Sequence, residues 1–448
     1  MSGYGADRLL GLGEAALATD GVDEVEVYLH RADTALTRFA DSRIHQNVAR
    51  SDGQARVRVV VDGNRVGVVA TNDLSPEGVR AAAAQAREIA ALTPADPQWP
   101  GLADPAPYGE AAPPDPATAS ADPAWRADLV ARILAELPRN VYGAGTAETD
   151  HAEQAVVNSR GVRAYARTTR AAASILASGA DSTGWAQASG PGIDALDAAA
   201  LGRTAADKVL LGAHPREVDP GHWAVVLEPG ATQVFAQWLG WSAVGGKAVF
   251  EGRSPLSGRI GSQVCSPLVT LLDDPTSPLL PGVPFDPEGT PAGRHLLIDR
   301  GVAVGVTHDR ASAALAGVTS TGHALPAPNH SGGSATHLIL EPGTDNVDRL
   351  VEGLDRGLLV TRFHYTNLVH AMTSTITGMT RDGTFLVEDG RIVGGVRNLR
   401  FTQSILEALG QVEAVGSECE VSTDAFDGAC ASPAMRISRF HFTSTSGH

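Results

Sequence analysis

The chain has 448 residues, 43% of them hydrophobic, with 35 basic residues against 51 acidic ones and a formal net charge of −16. That length exceeds one ordinary core and predicts two or three domains, and the hydrophobic share excludes a disordered chain. The acidic balance argues against nucleic-acid binding and against an anionic membrane surface, both of which need a basic face.

Nothing in the first residues, Met1-Ser2-Gly3-Tyr4-Gly5-Ala6-Asp7-Arg8, reads as a signal peptide. An amphipathic helix is predicted over 6–19 and a strand over 24–29. Two apolar strands, 54–61 and 65–70, flank Asp62-Gly63, a hairpin turn pair. A helix then starts at Ser75 as N-cap with Pro76 in its first turn, and Val79, Ala82, Ala83, Ala86 and Ile89 fall on one face. Gly11-x-Gly13 lies inside a helical pattern and follows no strand, so it does not read as a dinucleotide loop. Residues 93–123 carry nine prolines and form a linker or irregular excursion. A helix over 124–137, a β-meander over 142–187 and a helix over 194–211 follow.

The remainder is β-rich. Strands are predicted at 223–227 and 268–272 and a helix over 344–358, with Val347, Leu350, Val351 and Leu354 on one side. The run from Thr375 to Val393 reads as a hairpin turning at Asp389-Gly390. No apolar run approaches the ~18 residues of a membrane span. Cys265, Cys419 and Cys430 lack CxxC spacing, which disfavours a disulfide scaffold or a zinc ribbon and leaves a reducing, cytoplasmic setting as the expectation. The class is α+β: an N-terminal α/β domain (1–92), the Pro/Ala-rich excursion (93–123), a β-meander with flanking helices (124–219), and a large, mostly antiparallel β-rich C-terminal domain (220–448).

Among residues that invite a chemical role, His323, His330 and His337 recur every seven positions, a spacing with no ligand geometry of its own. Surface, hydrogen-bonded or substrate-lining histidines are the bland reading. Asp273-Asp274 before Pro275 suits a turn or cap better than an acid/base pair, because adjacent strand residues point apart. Arg381, between Thr380 and Asp382, suits either a grip on a substrate carboxylate or a lock on its own turn. Tyr365 and Asn367 suit a peptide-facing sheet edge or ordinary strand positions.

Five segments in sequence carry a family likeness: Leu271-Leu272-Asp273-Asp274-Pro275, Phe285-Asp286-Pro287-Glu288-Gly289-Thr290, Leu297-Ile298-Asp299-Arg300-Gly301-Val302, Ser320-Thr321-Gly322-His323-Ala324, and the hairpin with Arg397-Asn398-Leu399-Arg400-Phe401-Thr402-Gln403-Ser404. Their order over 220–445 resembles the TldD/PmbA family, also called TldD/TldE. The resemblance implies one subunit of a two-chain metallopeptidase. Its TldD-like subunit carries a His-Glu-x-x-x-His helix and a later Cys for a divalent metal, zinc or iron, while the PmbA/TldE-like subunit lacks them and completes a closed dimer.

In this chain Ala236, Gln237 and Trp241 stand at the spacing of that helix motif. A methyl and an indole cannot replace two imidazoles as metal donors. The expectation is therefore a PmbA/TldE-like subunit with no catalytic residue and no metal or cofactor of its own, paired with a TldD-like partner that acts on unfolded, modified or small peptide-like substrates. Tyr365, Asn367, Thr380, Arg381 and His323 are its candidate substrate-binding residues. Alternatives are a subunit of a biosynthetic tailoring amidase or peptidase, or a binding and regulatory protein without chemistry. The family's association with DNA gyrase modulation falls under the last, and the acidic balance gives no support for direct DNA contact.

Overall fold

Six antiparallel strands form the first sheet, in the spatial order Arg65–Thr71, Arg43–Val61, Glu24–Ala40, Tyr142–Asn158, Arg163–Ser178 and Thr183–Gly190. The computed structural model describes residues 3–425 and 428–445. The strand order is two three-stranded meanders joined through their first strands, Glu24–Ala40 and Tyr142–Asn158. Each meander is preceded by a helix, Ala6–Glu14 or Pro123–Ala135, and followed by one, Pro76–Leu92 or Ala198–Leu211. The sheet thus crosses from the 1–92 segment into 124–219.

Local chemistry sets these elements. Ser75 Oγ accepts the Gly78 N–H at 3.0 Å, Asp122 the Trp125 N–H at 2.8 Å and Asp197 the Ala200 N–H at 2.9 Å, so three of the helices begin on side-chain caps. The closing helices press onto the outer strands at glycines. A Cβ on Gly67 would lie 2.1 Å from the Ala86 carbonyl oxygen, and one on Gly184 would lie 2.1 Å from that of Ala205. Each meander buries its own core. Leu9, Val27, Leu29, Val57 and Ala86 fill one, and Leu129, Ile133, Ile175, Ala205 and Val209 the other.

Residues 93–115 run over this sheet as a strap. Leu102 and Ala103 are buried, Trp99 Nε1 donates to Glu24 Oε2 at 3.1 Å, and the Tyr108 hydroxyl donates to the Gly289 carbonyl at 2.9 Å. A short helix, Pro116–Ser120, ends the excursion.

The C-terminal part is built on an eleven-stranded sheet. Most pairings are antiparallel; His337–Leu340 runs parallel to Gly428–Thr445, and Gly221–Leu227 parallel to Arg356–His370. Helix Pro229–Ser242 lies on it, with Phe235 packed against Phe363 and Phe440. The class is α+β with strand-rich sheets, as the sequence predicts. The Asp389-Gly390 hairpin is present, both residues having positive φ (49° and 70°), between strands Thr375–Glu388 and Arg391–Gly395. No helix among the described residues is long and apolar enough to cross a membrane.

Five element predictions are corrected. The helix over 6–19 ends at Glu14, and the strand over 24–29 runs on to Ala40. The helix over 344–358 shortens to Val347–Glu352, because Gly353 ends it and Arg356 already pairs with Glu388 in a strand. The strand over 268–272 is Leu271–Asp273. The strand predicted from 54 begins at Arg43; its first half is exposed and carries no apolar signal.

Candidate functional site

Helix Pro229–Ser242 starts at Pro229, behind Glu228, whose carboxylate accepts Lys208 Nζ at 2.6 Å. The Ala236 methyl is fully buried, Gln237 is half-buried, and Trp241 is 59% exposed. Trp241 stands edge-on to Trp238, whose Nε1 donates to Thr366 Oγ1 at 3.2 Å. The far half of the helix is thereby tied to strand Arg356–His370.

That strand and its partner, Thr375–Glu388, carry four of the five candidate residues. Tyr365 is 77% exposed, with φ +54° at an irregularity between His364 and Asn367. A bulky side chain seldom holds that backbone shape, and such outliers cluster where something is bound. The exposed Asn367 donates from Nδ2 to the Tyr365 carbonyl at 3.2 Å. Thr380 is buried and its Oγ1 accepts the Leu399 N–H at 3.0 Å, holding the adjacent strand. Arg381 is part-exposed, with Nε 3.9 Å from Asp382. Asp382 is held instead by Arg362, with Nε at 2.8 Å, and by Thr183 Oγ1 at 2.8 Å. Arg362 also lies over the Trp185 ring, 4.6 Å from its centroid.

His323 stands apart, in the wall of a cavity of about 560 Å³ between the first sheet and the C-terminal part. Its Nε2 meets Asp273 Oδ1 at 3.2 Å and its Nδ1 meets Thr321 Oγ1 at 2.9 Å. Asp273 also accepts the His337 N–H at 2.6 Å. Burial raises the Asp273 carboxyl, but His323 and the His337 amide outweigh it and hold the pKa below the ordinary carboxylate range. Asp274, by contrast, accepts the Thr276 N–H at 2.9 Å in a turn. Across the cavity stand Tyr28, His30 and Arg56 of the first sheet. The sequence left these three unmarked, because strand alternation signals burial and not what a cavity brings together. The Asp273 link left no trace either, since His323 lies 50 positions away and His337 meets the carboxylate only through its main-chain N–H.

Among the described residues no three His, Cys, Asp or Glu side chains are arranged to hold a metal ion. His295 Nε2 faces the Val306 carbonyl at 2.9 Å. Burial pushes the thiols of Cys265 and Cys430 up to about 12 and that of Cys419 to about 11, well away from thiolate chemistry.

Three family models match: PmbA/TldA metallopeptidase domain 1 at residues 25–90, the central domain at 113–212 and the C-terminal domain at 220–444. This chain belongs to the PmbA/TldD metallopeptidase family. It is 27% identical over 224 residues to a metalloprotease of Methanothermobacter thermautotrophicus, covering 49% of this chain and 48% of that one. It is 27% identical over 236 residues to a metalloprotease TldD homolog of Buchnera aphidicola, covering 51% of this chain and 47% of that one. The chain spans about half the length of these curated relatives. Its fold matches the crystal structure of TldE from Thermococcus kodakarensis with a TM-score of 0.88 at 22% identity, covering 98% of this chain and 99% of that one.

A PmbA/TldD metallopeptidase implies a metal. Where the resemblance places two imidazoles and a carboxylate, this helix offers a buried methyl, a carboxamide and an indole. That donor set does not fit a divalent ion.

Proposed function

We propose that this chain is the TldE-like subunit of a two-chain TldD/TldE-type metallopeptidase. It pairs with a TldD-like subunit whose His-Glu-x-x-x-His helix holds a divalent metal, zinc or iron, and the pair cleaves unfolded, modified or small peptide-like substrates. The observation that carries this reading is the helix Pro229–Ser242, with Ala236, Gln237 and Trp241 at the motif spacing.

The chain's own contribution is to hold the substrate. Strand Arg356–His370 pairs with Gly221–Leu227 only over Gly357–Val360, so beyond Val360 that side of its backbone has no strand neighbour among the described residues. An extended peptide can add there as a strand, taking main-chain bonds that do not depend on its sequence. Tyr365 and Trp241 stand exposed beside that edge.

Co-expression with a His-Glu-x-x-x-His protein from the same genome tests the reading. The expected result is a stable complex with one metal site per pair, and peptide cleavage by the pair but by neither chain alone. Stoichiometric metal and peptidase activity in this chain by itself would refute it.

A further inference from the structure

The strand edge proposed to hold the peptide uses none of the groups around His323. We propose that the cavity between Arg56 and the His323–Asp273 pair is a binding site for a small carboxylate, of amino-acid to dipeptide size. Its volume of about 560 Å³ is that of a small-molecule site.

The charge pattern of its walls chooses the ligand. Each of the cavity's two carboxyl groups already has its hydrogen-bond donors. Asp273 takes His323 and the His337 amide. Asp286 takes the N–H groups of Glu288, Thr290 and Ala324, each at 2.9 Å. Arg56 differs in having a donor left over. Its Nε donates to Gln54 Oε1 at 2.8 Å and its Nη1 to the Ala327 carbonyl at 2.6 Å, both neutral acceptors. It pairs with no carboxylate among the described residues, and its Nη2 is left over. A part-buried guanidinium of this kind is matched by one planar monoanion. With one guanidinium in the walls, and with the Asp286 carboxyl there paired to no cation among the described residues, a monoanionic carboxylate fits better than a phosphate dianion.

The remaining walls suit the rest of such a molecule. The Tyr28 hydroxyl donates to Gln154 Oε1 at 3.1 Å and so faces the cavity as an acceptor, able to receive a ligand amine. His30 lines the same wall, and burial lowers its pKa against the pull of Asp52. Pro281, Val283 and Phe285 supply an apolar surface.

Calorimetric titration and thermal shift of the isolated full chain test this, with free amino acids and dipeptides, their C-terminal amides, and inorganic phosphate as probes. The expected result is one-to-one binding of at least one free acid with a raised Tm. Its amide should bind about tenfold or more weakly, since a charge-assisted bond is lost, and Arg56→Gln should abolish the response. Should that variant not fold, the acid–amide comparison on the unaltered chain still decides. Equal binding of acid and amide, preference for phosphate over every carboxylate, or no response to any acid up to about 10 mM would overturn the proposal. No partner subunit and no peptidase assay enter the measurement, so its failure and that of the two-chain reading are separate results.

Discussion

Asp382 illustrates how much a single side chain decides here. It is almost completely buried, takes the guanidinium fork of Arg362, and reaches Thr183 of the first sheet. Removing it leaves a guanidinium without its counter-charge. Asp382→Ala should lower stability by about 3–5 kcal/mol, measured by urea unfolding. Arg381 next door, part-exposed and 3.9 Å from the same carboxylate, should cost under about 1 kcal/mol as Arg381→Ala. Tyr365 belongs to a different kind of measurement. If the proposed pair holds its peptide at this edge, Tyr365→Ala should raise KM for an unfolded peptide several-fold in the reconstituted pair while leaving kcat near its original value, the pattern of a side chain that meets substrate and not the reacting bond. An unchanged KM would remove Tyr365 from the substrate edge.

Elements were legible where burial is one-sided. The strands around Asp62-Gly63 and the helix from Ser75 announce themselves because apolar residues alternate or recur against one core. The 344–358 prediction had the right apolar face, since Leu350, Val351 and Leu354 are buried, but no pattern rule registers that Gly353 stops the helix and hands the chain to a strand. The stretch from Arg43 to Asp52 is exposed throughout, so nothing in its composition marks it as sheet; only its pairing with Glu24–Ala40 does. The candidate site divides in the same way. Helix Pro229–Ser242 was readable because a missing motif is a local fact. The His323 cavity was not, because Asp273 lies 50 positions away in the chain and Arg56 farther still. Close helix–strand contact gives the prediction at this scale. Gly67→Ala and Gly184→Ala each force a methyl into a helix carbonyl and should destabilise by about 1–3 kcal/mol, seen as a lower urea midpoint. A neutral result at both would mean the helices sit farther from the sheet.

Across the whole molecule, the first sheet and the C-terminal part share a buried charge cluster. Arg58 lies 3.3 Å from Glu26 and 3.1 Å from Glu288, with Asp286 nearby. Burial, reinforced by neighbouring carboxylates and only partly offset by Arg58, pushes Glu26 up to about 7; burial and Glu288 push Asp286 to about 7. A carboxyl raised on folding binds its proton more tightly in the native state. The stability it contributes is full below the unfolded values near 4 and is lost as pH rises through about 7. Part-buried histidines such as His30, His295 and His337, whose pKa burial lowers, act the other way and add stability as pH rises through about 6.5. The Glu26 share is therefore read by comparison: the Tm at about pH 8 minus that at about pH 5.5 should be more positive in Glu26→Gln than in the unaltered chain, and an unchanged difference would contradict the assignment.

The ladder joining Glu24–Ala40 to Tyr142–Asn158 runs from Glu26↔Asn158 to Phe39↔Gly145 without a slip. One half of that sheet reaches the C-terminal part through Arg58–Glu288 and Arg56–Ala327, the other through Thr183–Asp382 and Arg170–Thr423. The sheet therefore spans separate footings on the C-terminal part, bridged by one unbroken run of paired residues.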